Sequence, residues 1–301
     1  MGTPEFAVAS LDKLVQEGCT IIGVITAPDK PAGRGMQLQQ SAVKKYATEK
    51  GLNILQPEKL KDPAFIETLR SLKADLQVVV AFRMLPEIVW NMPPMGTINL
   101  HGSLLPQYRG AAPVNWAIIN GEKFTGVTTF KLKHEIDTGN ILLSEKIEID
   151  ENETAGELHD KMKEAGAGLL LKTIEGISVG NLAETPQTLN IKHQTLLHAP
   201  KLSAETCIIN WNKNVNEVYN LIRGLSPYPT AFTTLEHKKL KIYKAEKSVK
   251  PVSGLAGSFE TDKKTFLRFT CNDGYIDITE LQLEGKKKML IEDFLRGYRF
   301  A

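Results

Sequence analysis

Apolar residues recur with two different periods along the chain, and the switch between them sketches its organisation. Near the N-terminus, Phe6, Val8, Leu11, Leu14 and Val15 fall at helical spacing behind Thr3-Pro4-Glu5. That tripeptide offers an N-cap, a proline for the first helical position and an acid for the first turn. A helix is therefore expected to begin almost at residue 1. The apolar run Cys19–Thr26 reads as a buried strand, and Leu52–Leu55, Leu76–Phe82 and Thr97–Leu100 read the same way, with helices predicted at Ser41–Lys50 and Pro63–Leu72. Strands buried on both faces and separated by helices are what a parallel sheet covered by helices requires. Gly126–Leu132 and Ile141–Ile149 add two strands, and Thr154–Ser178 one long helix.

Periodicity then stops. Residues 181–200 are polar and carry two prolines, which fits an ordered linker on the surface. Beyond it, Asn214–Arg223 looks helical, and Ala231–Leu235, Lys239–Ala245, Thr265–Cys271 and Tyr275–Leu283 read as short strands separated by turns such as Asn272-Asp273-Gly274. The expected fold class is α/β: a doubly wound, mostly parallel, Rossmann-like domain over residues 1–180, then a small OB-like β-barrel domain over 201–301. A helix opening at Thr3 leaves such a sheet without its first, normally central, strand, so either the chain lacks that strand or the sheet is rearranged.

Composition narrows the classes. With 301 residues, 42% hydrophobic and 24% charged, the chain has the balance of a globular protein rather than a disordered or collagenous one. No apolar run approaches the roughly 20 residues needed to cross a bilayer, so no membrane association and a cytoplasmic location are expected. Cys19, Cys207 and Cys271 lie far apart, and the six histidines show no ligand spacing, so no metal is expected. Net charge is +2, yet residues 200–301 carry 17 Lys+Arg against 12 Asp+Glu and the remainder 20 against 23. The C-terminal third is thus poised to meet something anionic, or simply presents a solvated basic surface.

The densest chemistry sits in Asn99-Leu100-His101-Gly102-Ser103-Leu104-Leu105-Pro106, at the carboxyl end of a predicted strand, where open α/β folds bind ligands. Asn99 and His101, two residues apart, point to the same side of the sheet. An amide that stabilises a developing oxyanion beside an imidazole that moves a proton suits acyl transfer. Taken singly, the pair reads equally well as a turn cap and an ordinary buried histidine. Asp137-Thr138-Gly139 forms a polar turn between strands; its aspartate could orient His101 and handle a proton, or the turn could be no more than a turn. A third segment, Ala27-Pro28-Asp29-Lys30-Pro31-Ala32-Gly33-Arg34-Gly35-Met36, reads as a substrate loop in which Gly33 and Gly35 permit close approach and Arg34 can meet a phosphate or a base.

Taken in order, Gly2-Thr3-Pro4-Glu5-Phe6-Ala7, Pro28–Gly35, Asn99–Pro106, Arg109-Gly110-Ala111-Ala112-Pro113 and Asp137-Thr138-Gly139 resemble the methionyl-tRNA formyltransferase family, within the 10-formyltetrahydrofolate-dependent formyltransferases. The resemblance covers nearly the whole chain. Asn-x-His with a downstream Asp-x-Gly marks the superfamily, whereas the Arg-Gly-Ala-Ala-Pro segment, the Arg34 loop and the basic C-terminal domain mark the tRNA branch. The resemblance implies a monomeric enzyme that formylates initiator methionyl-tRNA from 10-formyltetrahydrofolate. Asn99, His101 and Asp137 would be its catalytic trio, with Asp137 setting the imidazole tautomer. Ser103, Leu104, Leu105 and Pro106, with Phe82, Arg83 and Met84, would line the folate site. Lys30, Gly33, Arg34 and Gly35 would meet the tRNA. The rival readings are a sugar-nucleotide or glycinamide ribonucleotide formyltransferase, a formyltetrahydrofolate hydrolase, and a non-catalytic RNA-binding module.

Overall fold

The computed structural model describes residues 1–32, 36–187 and 195–300. The chain separates into two units. Met1–Arg109, Gly126–Ile147 and His159–Leu197 make the first; Gly110–Thr125, Glu148–Leu158 and His198–Ala301 make the second.

The elements run α1 (Glu5–Gln16), β1 (Val24–Ile25), β2 (Lys30–Ala32), β3 (Gln37–Gln39), α2 (Ala42–Glu49), β4 (Ile54–Leu55), α3 (Pro63–Ser71), β5 (Gln77–Val80), α4 (Glu87–Trp90), β6 (Thr97–His101), β7 (Arg109–Gly110), α5 (Pro113–Ile119), β8 (Phe124–Lys131), β9 (Ile141–Glu148) and α6 (Ala155–Ser178). After the connecting segment come β10 (His198–Ala199), α7 (Val215–Gly224), β11 (Ala231–Leu235), β12 (Lys238–Ser248), β13 (Phe259–Thr261), β14 (Leu267–Thr270), β15 (Tyr275–Leu283), β16 (Met289–Leu290) and α8 (Ile291–Gly297).

The first unit is α/β, with parallel pairing of β1 with β4 and of β5 with β6. Helices start where polar side chains satisfy their free N–H groups: Ser41 accepts from Lys44 at α2, and Asp62 accepts from Ala64 at α3 with Pro63 behind it. At α1 the helix starts at Glu5, with Pro4 in the capping position and no side-chain cap, so Thr3 does not play the predicted part. Of the Cys19–Thr26 run, Val24 and Ile25 join a ladder. Between β1 and β5 lie Met1 and Gly2. The Gly2 N–H donates to the Ile25 carbonyl, and the Val80 N–H donates to that of Met1. Gly2 bridges Val80 in the parallel sense, so Met1 and Gly2 link the β1 and β5 ladders. Beside them is a cavity of about 150 Å³ lined by residues such as Leu11, Leu14, Ile22, Val78 and Leu170. Ile25, Phe65, Leu69, Val79 and Val89 form part of a core that fastens β1 and β5 to the helices.

β6 is the strand that matters for chemistry. It pairs parallel with β5 and antiparallel with β8, in the register Ile98↔Lys131, Asn99↔Phe130, Leu100↔Thr129 and His101↔Thr128. Hydrogen-bonded on both sides, its backbone is fixed, and so are the directions of its alternate side chains.

The second unit carries an OB-like antiparallel sheet in the order β11-β12-β15-β14-β13, with β16 on β15. Its core gathers Trp211, Val215, Ile222, Leu240, Ile242, Phe269, Ile276 and Phe294. Helix α7 begins in a complete capping box, in which the Asn214 side chain accepts the Glu217 N–H and the Glu217 carboxylate accepts the Asn214 N–H.

Candidate functional site

His101 is the last residue of β6 and is buried. Its Nε2 lies 2.9 Å from the Tyr108 carbonyl oxygen. A carbonyl can only accept, so Nε2 carries the proton and Nδ1 is left facing the other way. There it meets Asp137 Oδ2 at 3.9 Å, both side chains being about nine-tenths shielded. That separation exceeds a hydrogen bond but pairs the charges whenever the ring is protonated. The imidazole tautomer is thus set by a backbone carbonyl. Asp137 was expected to set it and instead faces the nitrogen left open. Asn99, two residues back on the same face of β6, is half-buried, and among the described residues no hydrogen bond ties down its amide. The excursion 132–140 leaves β8 opposite Ile98 and brings Asp137 to His101, three rungs along the ladder and two residues on from Asn99.

Local backbone explains how each group is held. Tyr108 and Asp137 both adopt left-handed conformations, with φ of 59° and 54°. The Tyr108 N–H donates to the Leu197 carbonyl at 2.7 Å, which aims the Tyr108 carbonyl at His101. In the Asp-Thr-Gly turn, a Cβ on Gly139 would stand 1.6 Å from the Lys131 carbonyl oxygen, so nothing larger than glycine fits where the turn rejoins the sheet. The turn is also held from outside. Gln187 Nε2 donates to the carbonyls of Asp137 (3.0 Å) and Gly139 (2.7 Å), while Gln187 Oε1 accepts from Arg109 Nη2 at 2.6 Å and Nε at 3.2 Å.

The other expected site residues are distributed as follows. Ser103 is fully buried, and its hydroxyl closes its own turn on the Gln107 carbonyl at 2.6 Å; Thr128 Oγ1 donates to the Ser103 carbonyl at 2.7 Å. Leu105 is buried, and Leu104 and Pro106 are half-buried. Phe82, Arg83 and Met84 follow β5. The Arg83 guanidinium donates to the Glu58 and Pro57 carbonyls and stacks 5.6 Å from the Phe82 ring, while Met84 is exposed.

The segment Ala27–Met36, read as a loop, contains the strand Lys30–Ala32, which pairs antiparallel with Gln37–Gln39. Pro31 is tolerated because this ladder has two strands and both are edges. Lys30 is exposed, whereas Gly33, Arg34 and Gly35 lie outside the described residues. The base of this hairpin is anchored by Asp29, which accepts from Lys44 Nζ at 2.5 Å and Gln56 Nε2 at 2.8 Å; these bonds hold its carboxyl below the ordinary range. Among the described residues no group of three or more His, Cys, Asp or Glu side chains could hold a metal ion.

Tyr108, Arg109 and Gln187 are the contributors that motif reading missed. Tyr108 and Gln187 act through or upon main-chain carbonyls, which leave no mark on residue type. Arg109 was seen within Arg-Gly-Ala-Ala-Pro, but its partner stands 78 residues away.

Residues 1–174 match the family described as formyl transferase, and residues 201–299 match the formyl transferase C-terminal domain. Methionyl-tRNA formyltransferase of Phocaeicola vulgatus is 56% identical over 306 residues, covering 99% of this chain and 94% of its own. That of Bacteroides fragilis is 51% identical with coverage of 100% and 94%, and that of Flavobacterium johnsoniae 48% with 100% and 96%. Among solved structures, an N-formyltransferase from Helicobacter canadensis in complex with folinic acid and dTDP-3-aminofucose superposes with a TM-score of 0.69 at 22% identity, covering 96% of this chain and 97% of its own. HypX from Aquifex aeolicus with tetrahydrofolic acid gives 0.60 at 20% identity, covering 84% and 45%. These two likenesses establish the shared fold.

Proposed function

We propose, from the premise that this chain belongs to the formyl transferase family, that it transfers the formyl group of 10-formyltetrahydrofolate to the α-amine of initiator methionyl-tRNA. Relatives of that name match it from end to end at about half identity, which favours this acceptor over a sugar nucleotide or glycinamide ribonucleotide. The observation that carries the chemistry is the gap between His101 Nδ1 and Asp137 Oδ2 on the sheet face that also bears the unengaged Asn99 amide. An acyl oxygen needs a donor, and a neighbouring nitrogen needs a proton moved; the three side chains supply both. The co-substrate contributes a formyl carbon bonded to a nitrogen that can leave.

The chain's own residues account for the rest. Asn99 Nδ2 donates to the formyl oxygen and holds it as negative charge builds during attack by the uncharged amine. With Nε2 committed to the Tyr108 carbonyl, His101 Nδ1 accepts the proton released by the attacking nitrogen and delivers it to the departing one. Asp137 steadies the ring while it is charged. Atoms balance: one carbon–nitrogen bond forms, one breaks, and the amine proton ends on the leaving nitrogen. Leu104, Leu105, Pro106 and the Phe82–Met84 stretch form the wall offered to the folate, and Lys30 with the Arg34 loop meets the acceptor end of the tRNA. Among the described residues no helix is long and apolar enough to cross a membrane, and an acceptor that is a charged tRNA favours a cytoplasmic reaction.

The test is direct. Incubated with 10-formyltetrahydrofolate, the protein converts charged initiator methionyl-tRNA to its formyl derivative and leaves elongator methionyl-tRNA unchanged. Asn99→Ala and His101→Ala each lower kcat by about 10²–10³ while tRNA binding persists, the loss typical of removing one oxyanion donor or proton carrier. Near-full turnover in either variant refutes the assigned roles. Binding of tRNA without consumption of folate by the unaltered protein would favour the non-catalytic reading.

A further inference from the structure

The segment after α6 was read as an ordered linker on the surface. In the first unit its two described ends instead grip the two members of the catalytic pair. On the Asp137 side, Thr185 adds a strand-like bridge to Ile141, with both N–H···O bonds at 2.8 Å. Glu184 accepts from Lys131 Nζ at 2.6 Å and from Asn140 Nδ2 at 3.0 Å. Two residues past Thr185, Gln187 donates its amide to the Asp137-Thr138-Gly139 turn and accepts from Arg109 on its oxygen. On the His101 side, the Leu197 N–H donates to Gln107 Oε1 at 2.8 Å and its carbonyl accepts the Tyr108 N–H, while the Tyr108 carbonyl accepts the hydrogen bond from His101 Nε2.

We infer that this connecting segment positions the active site, with Gln187 the positioning residue for Asp137 and the Leu197 backbone the support for His101 through Tyr108. The physical reason lies in how Asp137 is held. Its backbone sits in a conformation that non-glycine residues avoid, in a nine-residue excursion from the sheet whose outer part, residues 133–136, is exposed. A carboxylate there keeps its distance from Nδ1 if the turn's carbonyls are tied down. One amide group donating to two of them does that, and Arg109, fixed on the amide's oxygen, stops the amide from rotating away. Among the described residues neither Gln187 nor Arg109 hydrogen-bonds the Asp137 carboxylate, so they act on where the carboxylate stands.

The inference rests on the formyl-transfer reading, and its test separates the two. In steady-state formylation with the full chain, Gln187→Ala lowers kcat about 10- to 100-fold, the usual cost of losing an outer support of a catalytic group, while KM for tRNA and for 10-formyltetrahydrofolate stays within about twofold. Gln187→Glu keeps an acceptor for Arg109 but has nothing to donate, so it is as slow as Gln187→Ala. Gln187→Asn, with the right groups on a shorter arm, recovers part of the rate. Thermal midpoints of all three are compared with the unaltered protein. Should Gln187→Ala fail to fold, Gln187→Glu decides alone. Unaltered kcat in Gln187→Ala, a loss confined to KM, or full rate in Gln187→Glu each overturns the inference while the unaltered protein's turnover upholds the function. No product from the unaltered protein overturns the function, and the positioning role with it.

Discussion

At the scale of single residues, the site depends on backbone as much as on side chains, and Gly139 makes the point sharpest. A methyl there would meet the Lys131 carbonyl at 1.6 Å, and that carbonyl belongs to a strand paired on its other side. The turn must yield, because the sheet cannot. Gly139→Ala is therefore expected to destabilise the protein by about 1–3 kcal/mol, the usual cost of forcing atoms into filled space. It should also lower kcat, since the turn that moves carries Asp137. A thermal melt and a formylation assay on the same preparation check both; an unchanged melt with full activity would mean that the turn is not braced by the strand. Motif reading found Asn99, His101 and Asp137 because their residue types announce amide donation, proton transfer and charge. It assigned the tautomer to Asp137 because side chains are what a sequence displays, whereas the tautomer is set by the Tyr108 main chain, seven residues from His101 and invisible to any motif.

At the scale of elements, legibility tracked how local the cause was. β11 and β15 match the predicted bounds residue for residue, since strand-forming runs bounded by turns are local signals. The Cys19–Thr26 run shrank to two ladder residues because a ladder needs neighbours, and beside β1 the chain supplies Gly2. Helix α5, which starts at Pro113 where the loop motif ends, was not anticipated, nor was α8. The connecting segment was the least legible: its prolines and polar residues read as solvent-facing, yet Glu184 bonds back to Lys131 and Asn140. Those two bonds hold the Glu184 carboxyl below its ordinary value. A depressed carboxyl binds fewer protons folded than unfolded, so its contribution to stability is complete above the ordinary glutamate value and is lost as pH falls through the lowered one. Glu184→Gln should accordingly melt below the unaltered protein at neutral pH, with the gap closing as the solution is acidified beneath the glutamate range. A gap that stays constant or widens on acidification would show that the carboxylate is not what anchors this segment.

At the scale of the whole molecule, the C-terminal third and the rest of the chain carry opposite charge biases, and a reaction on a tRNA gives that asymmetry a use. Residues 200–301 hold 17 Lys+Arg against 12 Asp+Glu, while the rest of the chain is net acidic. Several of these cations have partners: Lys213 pairs with Glu217, Arg268 with Glu260 and Lys288 with Glu280, and such groups are partly neutralised before any RNA arrives. The phosphate contacts available are thus fewer than the lysine and arginine count, and the salt dependence of binding should reveal how many remain. Each phosphate neutralised releases condensed counterion, so the logarithm of the binding constant falls linearly with the logarithm of salt concentration, by about 0.7–0.9 per contact. If the second unit grips the acceptor stem with four or five free cations, affinity for initiator tRNA drops about 10²-fold between 50 and 200 mM salt. Replacing Lys238, Lys239 and Lys241 of β12 with glutamine flattens that slope while kcat at saturating tRNA is unchanged, because none of the three belongs to the Asn99, His101 and Asp137 site. A slope that the triple variant leaves intact moves the RNA contact away from β12, and a slope near zero in the unaltered protein removes phosphate recognition from the second unit altogether.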